Sequence, residues 1–158
     1  MVSERYTVIP RTCNFVFNEN GEILLLKFSE VKGGMAGFYD PPGGHIEEGE
    51  GILESARREI KEETGLEVEN LKLKGVVHVT NFFGKNLCLF ITMSMALHGK
   101  LVECEEGTLH WVDQEKLDEI KIFEDLKLIL EKVLDNGSAF VAKSRFNKNG
   151  KLESFEFE

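Results

Sequence analysis

The sequence predicts a mixed α/β (α+β) fold: a mixed β-sheet sandwiched between α-helices, with hairpins at the N- and C-terminal ends. Three observations predict it. Asn20-Gly21 and Asn149-Gly150 sit between apolar or alternating stretches, the pattern of tight hairpin turns. Ile52, Leu53, Ala56 and Ile60 recur at helical spacing, as do Phe123, Leu126, Ile129, Leu130 and Val133. No repeat, low-complexity tract or linker interrupts the 158 residues, so 1–158 reads as one domain.

Taken in order, Thr12–Phe17 and Ile23–Phe28 form the first hairpin around Asn20-Gly21. A glycine- and proline-rich stretch ends at Pro41-Pro42-Gly43-Gly44, which forces a non-helical, closely approachable backbone whose carbonyls can face a cation. Ile52–Thr64 is the first helix, with Leu53, Ala56 and Ile60 as its apolar stripe and Gly65 placed to end it in a left-handed conformation. Leu71–Phe83 and Leu87–Leu97 are two longer strands turned at Gly84-Lys85-Asn86. The second helical pattern follows Phe123, and Asn136-Gly137 marks a turn after it. Phe140–Phe146 and Leu152–Phe157 alternate as a closing hairpin.

Composition excludes several classes. A hydrophobic content of 42% with 30% charged residues is that of an ordinary globular protein, and no apolar run approaches the roughly 20 residues of a membrane span. Met1 to Pro10 has no apolar core followed by small residues, so a secretory signal is not expected and the cytoplasm is the expected location. Cys13, Cys88 and Cys104 are odd in number and widely spaced, which argues for core residues rather than a disulfide framework or a zinc site. The four histidines are scattered and read as structural. A net charge of -9 argues against a nucleic-acid surface, because such binding rests on many cationic contacts to phosphate. An anionic small molecule would instead need a bound cation, and a cation needs clustered carboxylates.

Those carboxylates are present. Within Ile52–Thr64, Glu59, Glu62 and Glu63 stand at i, i+3 and i+4 and share one helix face. Like charges so placed repel by a few tenths of a kcal/mol per pair, and a hard divalent cation with oxygen ligands turns that repulsion into attraction.

Residues 44–66, GHIEEGEGILESARREIKEETGL, resemble the Nudix box at every defined position: Gly44, Glu50, Arg58-Glu59, Ile60, Glu62-Glu63, Gly65 and Leu66. The resemblance implies a Nudix fold and hydrolysis of a phosphoanhydride with Mg2+, for which Mn2+ can substitute. It implies metal ligation by Glu59, Glu62, Glu63 and the Gly43 carbonyl, and carboxylate orientation by Arg58. Glu50 is implied to brace the loop by pairing with Arg58, with Gly44 and Gly65 shaping its ends. Glu106, in the acidic run Glu103 to Gly107, is similar to a further carboxylate of the MutT-like branch, as ligand or base. Glu62, Glu63 and Glu106 are the candidates for general base.

Absences narrow the substrate. No proline follows Pro42, so the proline that marks ADP-ribose pyrophosphatases is missing, and Tyr6 and Tyr39 leave no downstream tyrosine of the dinucleoside polyphosphate type. The positive resemblance is to MutT-like 8-oxo-dGTP diphosphatases, with Asp40 where that group faces the base and Glu124-Asp125 similar to an acidic pair that reads a purine edge. Phe28, Phe38, Phe82 and Phe83 are candidates to sandwich a base, and Lys27, then Arg11 and Lys32, to neutralise phosphate. The expected partner is therefore a small nucleotide, with no nucleic acid and no membrane. Other specificities, such as a nucleotide sugar or dihydroneopterin triphosphate, and a non-catalytic nucleotide-sensing module remain alternatives.

Overall fold

A computed structural model describes residues 4–158, so Met1, Val2 and Ser3 of the N-terminal stretch lie outside the described residues. Within it, β1 (Ile9–Phe17), β2 (Ile23–Phe28), β3 (Tyr39–Asp40) and β4 (Gly43–His45) precede helix α1 (Ile52–Thr64). Then come β5 (Glu67–Phe82), β6 (Lys85–His98), β7 (Gly107–Val112), helix α2 (Glu124–Leu134), β8 (Phe140–Phe146) and β9 (Leu152–Phe157). Short 3-10 segments lie at Glu30–Met35, between β2 and β3, and at Gln114–Glu119, between β7 and α2.

All nine strands join one sheet in the order β3-β2-β1-β6-β5-β8-β9, with β4 on β1 and β7 on β2. It is mixed, because β1 runs parallel to β6 and β5 parallel to β8 while the other pairs are antiparallel. Parallel neighbours need crossovers, and α1 and α2 lie in those connections. Along β1, Phe15 and Phe17 join the core that receives Leu126, Ile129, Leu130 and Val133 of α2, whereas Val16 points to the core that receives Ile60 of α1. The two-residue period of a strand thus gives the sheet two apolar faces with one helix on each.

The first hairpin differs from expectation. β1 and β2 are joined only at Phe17↔Ile23 and then diverge. Into the gap runs the chain Tyr39 to His45, where β3 pairs with β2 and β4 pairs with β1. Pro41 and Pro42 lack the N–H a continuous strand would need, so the chain crosses between the two partners instead of extending one ladder. Buried Asn14 fixes the crossing: its backbone N–H donates to the Pro42 carbonyl (2.9 Å), its amide donates to Thr12 Oγ1 (3.1 Å), and it accepts from Thr92 Oγ1 (2.7 Å). The long strands also depart from the expected limits: β5 begins four residues before Leu71 and ends one before Phe83, and β6 runs past Leu87 and Leu97 at both ends. Glu67–Asn70, whose single apolar residue Val68 is buried in the core under α1, is strand because β6 offers a partner.

Candidate functional site

Helix α1 is bounded by its own termini. Glu54 reaches back to the Gly51 N–H (3.1 Å), and Gly65, at φ +80°, donates to the Lys61 carbonyl and ends the helix. Its buried strip is Ser55, Ala56, Ile60 and Thr64. Leu53, expected in that strip, is 42% exposed. The burial follows i, i+4 steps through Ala56 and Ile60, and Leu53 lies about 100° off the Ile52 position that continues them.

The opposite face carries the charges, organised by Arg58. Its Nε and Nη2 donate to both oxygens of Glu50 (2.6 and 2.9 Å) in a bidentate pair. Nη1 donates to Glu59 (2.9 Å) and Glu62 (3.2 Å), and Nη2 to the His45 carbonyl (3.1 Å). The Arg58 hydrogen bonds hold the Glu50 carboxyl down at about 2, and Glu50 in turn raises Arg58 above the ordinary range. One guanidinium therefore ties the loop before the helix to two of the three acids on it.

Glu63 is held differently, accepting from the Gly43 N–H at 3.1 Å. Burial pushes its pKa up to about 7 against that hydrogen bond, and the nearby charges of Glu59, Glu106 and Asp40 push the same way. Glu106, from the loop before β7, is bridged by Lys32 at 3.0 Å. Gly43 and Gly44 make this crowding possible: a Cβ on Gly43 would collide with the Thr12 carbonyl, and one on Gly44 with the Glu59 carboxylate. Among the described residues no three or more His, Cys, Asp or Glu side chains stand close enough together to hold a metal ion, since the acids are divided between Arg58 and Gly43. The donor chemistry, carboxylate oxygens whose charges act on Glu63 beside a glycine cradle, is the kind a hard divalent cation takes.

Gly43 also opens onto a pocket of about 550 Å³, part of it open to solvent, lined by Arg11, Asp40, Phe82, Phe123, Asp125 and Phe146 among others. Burial raises both Asp40 and Asp125 to about 7; Arg11 opposes the rise at Asp40, and backbone N–H groups at the start of α2 oppose it at Asp125. Of the expected acidic pair only Asp125 enters, because Glu124 is exposed. Lys27 does not reach the pocket: it is exposed, with its ammonium 5.7 Å from the Tyr39 ring centroid, between β3 and β7. Arg11 is the cation on the pocket wall, and Lys32 is occupied by Glu106. Of the four candidate phenylalanines, Phe82 lines the pocket, and Phe38 stacks on Phe123 at 4.3 Å from behind. Phe123 and Phe146 were not anticipated, since they arrive from α2 and β8 and nothing local in the sequence links them to the box. The three cysteines are free; Cys13 is fully within the core, whereas Cys88 and Cys104 are only partly buried.

Residues 8–137 match the NUDIX domain, and the chain belongs to the Nudix hydrolase family. The uncharacterized Nudix hydrolase YvcI of Bacillus subtilis is 33% identical over 112 residues, which span 68% of each chain. The MutT protein of Bacillus halodurans superposes with a TM-score of 0.83 and 28% identity, covering 96% of this chain and 98% of that one. The 8-oxo-dGDP phosphatase NUDT18 of Danio rerio is 29% identical over 119 residues, 72% of this chain but 35% of that protein. The enzyme is thus a pyrophosphate-bond hydrolase of nucleoside-diphosphate-linked small molecules, in a family that generally uses divalent metal ions such as Mg2+. No described helix is long and apolar enough to cross a membrane.

Proposed function

We propose that the enzyme hydrolyses a nucleoside triphosphate to the monophosphate and pyrophosphate, with oxidised purine deoxynucleotides such as 8-oxo-dGTP as preferred substrates. The observation that carries this reading is that Asp40 and Asp125 line one apolar pocket that opens at Gly43, beside the acids of α1. Two carboxyls near neutrality offer both a donor and acceptors to a purine edge, which an ionised pair could not. Support also comes from the likeness to the Bacillus halodurans MutT protein and to a relative named for an 8-oxoguanine nucleotide.

In this reading Glu59, Glu62, Glu63, Glu106 and the Gly43 carbonyl hold the divalent cation, Mg2+ by expectation. Once bound, it neutralises phosphate charge and makes water a better nucleophile. Water attacks the β-phosphorus, the bond from that phosphorus to the bridging oxygen breaks, and the bridging oxygen leaves with the monophosphate. One of the carboxylates Glu62, Glu63 and Glu106 takes the water's proton. Arg58 positions Glu59 and Glu62, and Arg11 faces the substrate's negative charge at the pocket wall.

The test is a substrate panel with product analysis in 18O water. Label in pyrophosphate, and a kcat/KM highest for 8-oxo-dGTP, is the expected result; preference for a nucleotide sugar or dihydroneopterin triphosphate overturns it. The name of the Danio rerio relative favours one second reading, 8-oxo-dGDP as substrate, which orthophosphate release identifies.

A further inference from the structure

Phe83 occupies a position that backbone sterics usually leave to asparagine or glycine. Phe82 and Lys85 are register partners, so the β5–β6 turn has Phe83 and Gly84 as its two central residues. Their φ values are +47° and +77°, and Asn81 before them is at +62°. Positive φ at both centres is what a tight type I′ turn needs, and a phenylalanine there is strained by its Cβ.

In return, the turn packs against Phe82, which lines the pocket. The Phe83 ring lies between two glycines: a Cβ on Gly34 would stand 3.2 Å from it, and one on Gly150 would collide with it. Gly34 belongs to the segment whose Lys32 holds Glu106, and Gly150 to the turn of the closing hairpin. Phe83 packs edge-on against Phe82, which packs edge-on against Phe123 and Phe146 at 5.0 Å. The Asn81 amide donates to the Phe146 carbonyl at 3.1 Å. The hairpin that supplies Phe146 lies beyond residue 137, where the match to the NUDIX domain ends. One wall of the pocket therefore comes from outside the matched segment, and a strained turn grips it.

We infer that the turn Asn81–Gly84 is a specificity-determining clamp: through Asn81 and Phe83 it holds Phe146 and Phe82 in the pocket wall, so that the larger face of a purine base is taken in preference to a pyrimidine. The inference rests on the nucleotide reading above. Phe83 is a positioning residue that acts through Phe82, and Gly150 is the surface it bears on. A pyrimidine leaves part of the wall formed by Phe82, Phe123 and Phe146 uncovered, and even one methylene of lost contact in an apolar pocket lowers kcat/KM roughly 10–200-fold.

The experiment measures kcat and KM for matched purine and pyrimidine deoxynucleoside triphosphates with the wild-type enzyme, Phe83→Gly and Gly150→Ala. Phe83→Gly removes the ring while suiting the left-handed backbone, so it keeps the fold; Gly150→Ala keeps the ring and displaces it. Thermal unfolding checks both variants. The expected result is a purine-to-pyrimidine ratio of kcat/KM lowered about tenfold in each, mainly through a raised purine KM. A folded Phe83→Gly whose ratio stays at the wild-type value overturns the clamp, as does an equal loss on both bases, which is what a purely structural role produces. A wild-type enzyme inactive on both nucleotides overturns the nucleotide reading and the clamp with it, whereas an active one with an unmoved ratio overturns the clamp alone.

Discussion

Arg58 joins two stretches of chain that would otherwise repel each other. Glu50 lies on the loop and Glu59 and Glu62 on the helix, and a single guanidinium donates to all three. Glu62 contributes little to folding, since its side chain is 61% exposed and a surface pair of this kind is worth about 0.3–0.5 kcal/mol. Glu62→Gln should therefore unfold at the wild-type temperature while turnover falls roughly 100-fold or more; an intact variant with undiminished hydrolysis takes the helix out of the mechanism. Asp125 has the opposite profile, buried and expensive to ionise. Its pKa rises from 3.8 to about 7 on folding, so between those values the folded chain holds a proton the unfolded chain has released. Its contribution to stability is full below pH 3.8 and is lost as the pH rises toward 7, an effect on the order of 4 kcal/mol. Thermal midpoints of the wild type should fall from pH 5 to pH 8, and Asp125→Asn should flatten that fall; equal slopes would mean that Asp125 ionises freely in the fold.

At the scale of the element, α1 works because its two faces do different jobs. Ile60 is fully buried against Val16 and Leu24, and Leu53, one of the three residues that apolar spacing places in the core, is 42% exposed. Ile60→Ala should cost about 2–5 kcal/mol in urea unfolding, whereas Leu53→Ala should change stability by less than about 0.5 kcal/mol. Comparable losses at the two positions would contradict the observed packing. Both helices, the closing hairpin and the box were legible in the sequence because periodicity and turn chemistry are local signals. Strands β3 and β4 were not, since two or three residues carry no periodicity and their pairing depends on β1 and β2 having diverged. Lys27 stands apart from the pocket for a related reason: β2, on which it lies, parts from β1 after Phe17↔Ile23 and pairs with β3 and β7, which leaves its side chain exposed beside Tyr39.

At the scale of the whole molecule, the charges of Asp40 from the crossing between β1 and β2, Glu59 of α1 and Glu106 from the loop before β7 all act on Glu63. Folding thus concentrates negative charge that the unfolded chain disperses, and a cation bound only by the folded form should stabilise it. Mg2+ at about 100 times its dissociation constant adds roughly 2.7 kcal/mol by mass action. Calorimetry should show a saturable rise in Tm with Mg2+ that EDTA reverses and that Glu63→Gln diminishes; a Tm indifferent to Mg2+ would mean that these acids do not hold the ion. The sequence by itself determined the sheet-and-helix class, the box on its loop and helix, and the family, because each is written in short-range spacing. Only the tertiary structure decided that Arg11 rather than Lys27 borders the pocket, that Asp40 and Asp125 face one space, and that Phe146 from the last hairpin closes it. Those residues come from β1, β3, α2 and β8, and nothing but the closure of the sheet places them together.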